Sequence, residues 1–384
     1  MSEYQYYEFQ AIDRPLTEKE MGELRSYSTR ARITPTSFIN DYSWGSFKGN
    51  KDAWMEKYFD AFLYLANWGT HILKLRLPSR LLNLKTARSY CSDAGQTMFV
   101  SEKNGKVILT FVSEEEAGGE WVEGEGCLSS IISVRSEIAR GDLRALYLGW
   151  LLCVQGGELD DEDEEPPVPP GLGQLSASLE SLAEFLRIDS DLLDVAAQPS
   201  QRLEQTSPKM GEIRRWVGNL PTGEKDDLIT RFITGEEPAL AMELMRRFIE
   251  DDDKRSGGDA EEVKRRTVGE LLQAAEERTA KRRELAAKKA AEEKARRAQE
   301  AEIARAKHLD RIGEREPELW NQAENLIATK LPKNYDRAVE LLVDLRDLAA
   351  RKGKKEDFDS RLDALRASHL RKPSFIARMQ KASL

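Results

Sequence analysis

The stretch ERTAKRRELAAKKAAEEKARRAQEAEIARAK, from Glu277 to Lys307, decides how this chain is organised. It contains no proline and no glycine. Acidic side chains lie four residues before basic ones, as at Glu284 and Lys288, and each such pair stabilises a helix by about 0.2–0.5 kcal/mol. The apolar residues are mostly alanine, so the large side chains of a stable coiled-coil seam are missing. The stretch therefore predicts a charged helix that stands alone or pairs weakly.

The same pattern extends outward on both sides and predicts one helix from 259 to 312, with Gly269 as its one interior glycine. At 1.5 Å per residue such a helix would span about 80 Å. Three aspartates followed by Ser256-Gly257-Gly258 precede it, which predicts a flexible linker over 251–258.

Residues 1–157 carry both strand and helix patterns. Residues 72–77 alternate as a strand with one basic and one apolar face. Asn104-Gly105 separates two β-prone runs and suits the turn of a hairpin. Aromatic side chains recur at spacings of three and four over Asp52–Leu65, which predicts an aromatic-rich helix.

The middle of the chain predicts a spacer followed by a small helical domain. Residues 158–165 carry seven acidic side chains, and a proline-rich run follows at 166–170. Charge repulsion and polyproline geometry both favour an extended segment. Amphipathic helix patterns then recur between 175 and 250, over a length that is marginal for an independent core.

The predicted fold class is therefore multidomain and mainly α. The predicted segments are an α+β globular domain over 1–157, an acidic proline-rich linker over 158–174, a small helical domain over 175–250, a flexible linker over 251–258, a long charged helix over 259–312 and a three-helix docking module over 314–384.

Charge is segregated along the 384 residues. The net charge is −2 over 1–157, −14 over 158–260 and +7 over 261–384, which together give the overall −9. An acidic middle before a basic end favours association within the molecule or with an anionic partner.

The cellular compartment is predicted from cysteine usage and hydropathy. Three cysteines are too few and too widely spaced for a disulfide framework, which favours a reducing compartment. The N-terminus lacks the pattern of a signal peptide, and the longest apolar run is far shorter than a bilayer span. We therefore predict a cytoplasmic protein without membrane association.

One candidate site is a basic patch. Residues 61–92 contain no acidic side chain and are bordered by Trp68 and Tyr90. Basic side chains near aromatic rings suit a phosphate backbone with stacked bases, and solvated surface is the alternative interpretation. The candidate nucleic-acid or anion-binding residues are Lys74, Arg76, Arg80, Lys85 and Arg88.

A second candidate is Cys127, which opens a predicted helix after Gly124-Glu125-Gly126. A thiol at a helix N-terminus can become nucleophilic, with His71 as a possible base. The alternative is a structural, half-buried cysteine. Cysteines and histidines do not have the spacing of a zinc site, and no phosphate-binding loop is present, so we predict no metal and no cofactor.

The C-terminal helices supply the third candidate, an apolar face for docking a protein partner. Its residues are Leu341, Leu345, Leu348, Phe358, Leu362 and His369. This segment, from Tyr335 through the Arg371-Lys372-Pro373-Ser374 end, resembles the tail of bacterial SWIM-type zinc-finger proteins over about 50–60 residues. The resemblance implies a shared docking module. The zinc-binding cluster of that family is absent from this chain, so zinc-dependent binding is not implied.

Three hypotheses of function follow. The first is a non-enzymatic adaptor that holds partners through its N-terminal domain and its C-terminal helices. The second is a nucleic-acid-associated protein that uses the basic patch and the basic helix. The third is a cysteine-dependent enzyme centred on Cys127.

Overall fold

A computed structural model describes residues 4–45, 47–115, 123–203, 209–234, 240–256 and 265–384. The chain divides into two compact units, Met1–Ala280 and Lys281–Leu384. No helix in the described part of the chain is both long and apolar enough to cross a membrane.

The first unit is built on a seven-stranded sheet in which every neighbouring pair is antiparallel, with the order β2-β3-β1-β4-β5-β7-β6. This confirms the predicted α+β character. The strands are β1 (Gln5–Gln10), β2 (Arg32–Thr34), β3 (Ser37–Tyr42), β4 (Ala61–Ala66), β5 (His71–Pro78), β6 (Met98–Lys103) and β7 (Lys106–Ser113). The hairpin of β6 and β7 turns at Asn104 and Gly105, whose positive φ angles of 52° and 68° confirm the prediction.

Both faces of the sheet are buried. Along β4, Leu63 and Leu65 enter one hydrophobic cluster, while Phe62 and Tyr64 enter a second, aromatic cluster on the opposite face. Because side chains alternate along a strand, a strand that is covered on both sides favours apolar residues at successive positions. All six residues of β4 are accordingly buried.

Eleven helices precede the long helix in the described part of the first unit. They are α1 (Glu18–Arg25), α2 (Lys51–Lys57), α3 (Leu84–Arg88), α4 (Cys127–Ile131), α5 (Ser133–Ala139), α6 (Arg144–Gln155), α7 (Ala177–Phe185), α8 (Ser190–Ala196), α9 (Met210–Asn219), α10 (Thr222–Thr234) and α11 (Leu240–Ser256). Helix α6 packs so closely on the sheet that a Cβ at Gly149 would overlap Met98 and Phe111.

The aromatic-rich helix predicted over Asp52–Leu65 is wrong beyond its first two turns. Asn50 caps α2 by accepting hydrogen bonds from the backbone N–H groups of Asp52 and Ala53, and the helix ends at Lys57. The chain then continues as β4. Aromatic residues at this spacing satisfy either element, and the pairing of β4 with β1 and β5 decides the outcome.

The structure also differs from the predicted free spacer over 158–174. Leu172 is buried in the same cluster as the sheet and α6, and the Tyr90 hydroxyl donates a hydrogen bond to the Pro167 carbonyl at 3.1 Å. Leu179 and Leu182 of α7 belong to that cluster as well. The predicted domain boundary at residue 157 therefore cuts through one continuous hydrophobic core, because residues on both sides of it belong to the same cluster.

The long helix, α12 (Val268–Gly313), confirms the prediction of a helix over most of 259–312. In the second unit it is followed by α13 (Glu316–Ala328), α14 (Pro332–Arg351), α15 (Lys355–Ser368) and α16 (Pro373–Lys381). The sequence predicted three helices here, but Pro373 begins a fourth rather than only ending the third. Proline is favoured in the first turn of a helix, where its missing N–H costs no hydrogen bond.

Candidate functional site

The strand β5 has the predicted basic face, but Lys74 and Arg76 on that face lie inside the first unit, so the prediction that they bind nucleic acid is wrong. Lys74 and Arg76 each expose less than a tenth of their surface. Lys74 Nζ lies 2.7 Å from Asp52 Oδ1, and Arg76 Nη2 lies 2.7 Å from Asp60 Oδ1. The aromatic cluster that contains Phe62 and Tyr64 covers this face of the sheet, so neither Lys74 nor Arg76 can contact a nucleic-acid backbone.

Asp60 is the centre of a buried ionic network. The backbone N–H groups of Ile12 and Asp13 donate to its Oδ2 at 2.7 and 2.9 Å, and Arg76 donates to its Oδ1. Burial alone would raise the pKa of the Asp60 carboxyl, but Arg76, the Asp13 N–H and Arg135 together hold that pKa below its ordinary value. The basic residues of β5 therefore serve to neutralise buried or neighbouring carboxylates of the same chain.

The other three residues of the predicted patch lie outside the sheet. Arg80 Nε pairs with Glu243 Oε2 of α11 at 2.8 Å. Lys85 and Arg88 are exposed on the short helix α3. The five predicted residues therefore do not form one basic surface.

Cys127 and His71, which are far apart in sequence, both line a cavity of about 350 Å³ in the first unit. Among the described residues His71 bonds to the Phe185 carbonyl oxygen and Cys127 to the Glu123 carbonyl oxygen, so His71 as a base for Cys127 stays a prediction. The backbone turns into α4 at Gly126, whose φ of 88° suits glycine, and this turn places Cys127 at the cavity wall. His71 is the first residue of β5, and the end of β4 and the start of β5 contribute another part of the cavity lining.

The environment of His71 fixes the position of its proton. Nδ1 lies 2.7 Å from the Phe185 carbonyl oxygen, and the imidazole stacks on the Phe185 ring with the centroids 4.8 Å apart. Because a carbonyl only accepts, Nδ1 carries the hydrogen and Nε2 presents a lone pair. Burial lowers the pKa of His71 more than the Phe185 bond raises it, so the ring is neutral at pH 7.

The environment of Cys127 keeps its thiol protonated. Burial raises the pKa of this thiol, and the carboxylates of Glu8 and Glu184 raise it further. Its Sγ donates to the Glu123 carbonyl oxygen at 3.5 Å. A nucleophilic cysteine needs a lowered pKa and a nearby cation. The geometry therefore favours the structural interpretation of Cys127 over the catalytic one.

We expect Cys127 to react with iodoacetamide at pH 7.5 more slowly than a free cysteine does, because little of it is thiolate. Because the pKa of Cys127 is raised, its rate should still increase with pH where the rate of free cysteine has levelled off. Cys91 should react more slowly still, since burial raises its pKa to about 12. Mass spectrometry of alkylated peptides measures both rates. Faster alkylation of Cys127 than of free cysteine at pH 7.5 would restore the hypothesis of an enzyme.

Metal binding gains no support from the described residues, in which no three His, Cys, Asp or Glu side chains are grouped to hold an ion. The cavity contributes one imidazole and one protonated thiol.

The predicted docking face of the C-terminal module is largely its own core. Leu345, Phe358 and Leu362 are buried in a cluster that also contains Trp320 and Phe375. Four amphipathic helices with no other core must turn their apolar faces toward one another.

The remaining predicted docking residues lie at the margins of that core. Leu348 is buried, and its Cδ1 would contact a Cβ at Gly313. Leu341 is partly buried against the cluster, and His369 meets the Phe375 ring edge-on. The docking prediction is therefore wrong for the buried leucines and Phe358, which a partner cannot reach in the folded unit.

Sequence reasoning missed the contacts that hold the start of α12 in the first unit. Arg266 donates from Nε and Nη2 to the two oxygens of Glu165, at 2.8 and 2.6 Å, and the Tyr147 hydroxyl also bonds to Glu165. A backbone bridge joins Glu164 to Thr267. The charge segregation was the available signal, since it placed acidic 158–165 and the basic end of the chain in complementary segments.

The following part of α12 is solvated on every side. Each residue from Lys281 to Ala304 is exposed. The ion pairs within this stretch are Glu284–Lys288 at 2.7 Å, Glu293–Arg297 at 2.5 Å and Arg296–Glu300 at 3.7 Å. In the second unit the helix is held at its end, where Arg305 Nη2 lies 2.7 Å from Asp347 Oδ2 and Leu309 is buried.

Helix α10 carries an apolar face that the sequence analysis did not single out. Phe232 and Ile233 each expose 76% of their surface, and Ile229 exposes 57%. Three large apolar side chains that are exposed together on one helix are typical of a protein-interaction surface.

Comparisons with known proteins add no functional assignment: no family model, curated protein or solved structure is detectably similar to this chain.

Proposed function

We propose that this chain is a non-enzymatic adaptor whose two units each contact a different partner. The observation that carries the proposal is the run from Lys281 to Ala304, in which no side chain is buried although residues on either side of it pack into separate cores. A helix gains most of its stability from packing an apolar face. A long helical segment whose side chains are all exposed suits a connector between two binding units.

The exposed face of α10 supports a protein partner for the first unit. Phe232 and Ile233 leave large apolar areas in water, and covering them would favour association by roughly 25 cal/mol per Å². The three unpaired cysteines agree with the reducing, cytoplasmic compartment that we propose for the protein.

The resemblance to SWIM-type zinc-finger tails bears on the fold of the second unit. The resemblance covers residues that mostly form the core of this unit, so a shared fold rather than a shared contact surface is what it implies. We propose that the polar exterior of the second unit provides its docking surface.

Cross-linking of the tagged full-length protein in its native cells, followed by mass spectrometry, tests the adaptor proposal. We expect cross-links from two different proteins, one set on the first unit and one on the second. Phe232→Ser should weaken only the first set, because Phe232 is exposed and its loss should change stability by less than about 0.5 kcal/mol.

The matched control is Phe248→Ser, since Phe248 is buried against Trp216 and its replacement should unfold that region. Cross-links confined to one unit would contradict the adaptor proposal. Cross-links that no longer form when nuclease is added before the cross-linker would instead favour the nucleic-acid hypothesis, for which the net basic stretch Lys281–Ala304 remains available.

A further inference from the structure

The cavity lined by His71 and Cys127 contains two acceptors for which the described part of the chain supplies no hydrogen-bond or ion-pair partner. His71 is nine-tenths buried, and its Nε2 makes no hydrogen bond to any described residue. Within the described chain, no fully enclosed side-chain N or O atom lacks a hydrogen bond. Nε2 is therefore accessible, and the cavity that His71 lines is the space from which it is reached.

Glu184 is the second acceptor. It belongs to α7, lines the same cavity and forms no ion pair with a described residue. Its side chain is exposed at the solvent side of α7, and its charge raises the pKa of the Cys127 thiol.

Arg187, the cationic side chain that lines the cavity, already has hydrogen-bond and ion-pair partners within the protein. Arg187 donates from Nη2 to the carbonyl oxygens of Gly69 and Ser113, at 2.5 and 2.9 Å, and its Nη1 lies 3.0 Å from Glu115 Oε2. A guanidinium with these partners has little remaining capacity for an anionic ligand. Apart from the Ser181 hydroxyl, which can donate or accept, the open groups of the cavity are thus acceptors, and its one guanidinium and two carboxylates, Glu115 and Glu184, make its net charge negative.

We propose that this cavity binds a small organic amine with an apolar body. Leu65, Ile131 and Phe185 supply apolar walls, and a volume of about 350 Å³ suits a small molecule. The protonated nitrogen is attracted by Glu184, and a donor on the ligand bonds to His71 Nε2. This site does not depend on the adaptor function, because it lies within the first unit alone.

The probe for the test is 2-phenylethylamine, compared with 2-phenylethanol and 3-phenylpropionate, which have similar bodies but are neutral and anionic. Ligand-observed NMR with the full-length protein at low salt measures the affinities. We expect the amine to bind at millimolar concentration, at least about threefold more tightly than the alcohol, with the acid weakest. Bound amine should also slow the alkylation of Cys127 but not of Cys91, since only Cys127 lines the cavity.

Two variants locate the contacts. Glu184→Gln removes the charge and should weaken amine binding about three- to tenfold. His71→Asn retains a donor for the Phe185 carbonyl oxygen but removes the acceptor Nε2, and should weaken binding similarly. Glu180→Gln, one turn earlier on α7 and exposed, is the matched control and should leave the affinity unchanged.

Equal binding of the three probes, or no binding of the amine, would overturn the proposal. So would an affinity that neither Glu184→Gln nor His71→Asn changes, or amine binding without protection of Cys127, because each result would place the ligand elsewhere.

Discussion

Replacing Arg76 with methionine should lower the free energy of unfolding by about 3–5 kcal/mol, which is the usual cost of removing one partner of a buried ion pair. The Asp60 side chain is 1% exposed and receives Arg76 Nε and Nη2 at 3.1 and 2.7 Å. Methionine fills a similar volume, so the cost comes mainly from a carboxylate that is left buried without its main cation. Chemical denaturation at pH 7 measures the loss.

The pH dependence separates this explanation from a simple packing defect. In the wild type the pKa of Asp60 is lowered, so its contribution to stability is present at neutral pH and is lost as the pH falls through that lowered pKa. Without Arg76, burial should raise the pKa of Asp60. As the pH falls, Asp60 in the variant would then take up a proton and no longer be a buried, unpaired charge. The difference in free energy of unfolding between the variant and the wild type should therefore shrink between pH 7 and about pH 4.

Lys103→Met is the matched control, because Lys103 belongs to the same sheet but is 59% exposed beside Glu56. An exposed pair contributes about 1 kcal/mol or less, and its removal should show little dependence on pH. A loss for Arg76→Met no larger than for Lys103→Met would contradict the buried network.

The same strand shows how far the sequence could predict the fold. The alternation over 72–77 correctly predicts β5, because strand geometry is a local property. It cannot reveal that a second, aromatic layer covers the face that carries Lys74 and Arg76. Their carboxylate partners, Asp52 and Asp60, come from α2 and the loop after it, and only the folded sheet brings them within hydrogen-bond distance.

The candidate site was predictable only in part. The sequence singled out Cys127 and His71, which line one cavity, but left the thiol open between a nucleophile at a helix N-terminus and a structural cysteine. Burial and two carboxylates raise the pKa of the thiol, which favours the structural alternative. Glu184 and Arg187 were not predicted, because α7 was assigned to a separate domain instead of to the sheet.

Replacing Arg266 with methionine should release the start of α12 from the first unit. Glu165 exposes 3% of its surface, and its carboxylate relies on Arg266 for two of its hydrogen bonds. Arg266 Nη1 also donates to the Val195 carbonyl oxygen at 2.9 Å, so the substitution removes a link to α8 as well. We expect a loss of about 3 kcal/mol, because Glu165 would keep the Tyr147 hydroxyl but lose its cation.

Hydrogen exchange measured by mass spectrometry locates this effect. Amides in the first two turns of α12, where Val268 and Leu271 are buried, should exchange faster, whereas the core of the second unit should keep its protection. Adding Glu165→Gln to Arg266→Met should restore part of the loss, since a neutral amide costs less to bury than an unpaired carboxylate.

Arg265→Met is the matched control for the release of α12, because the neighbouring Arg265 is exposed and lies 3.9 Å from exposed Glu164. If Arg265→Met and Arg266→Met changed exchange equally, the buried pair would not be what holds the helix. If only Arg266→Met acts, the acidic segment that the sequence predicts as a spacer is instead the anchor of the long helix.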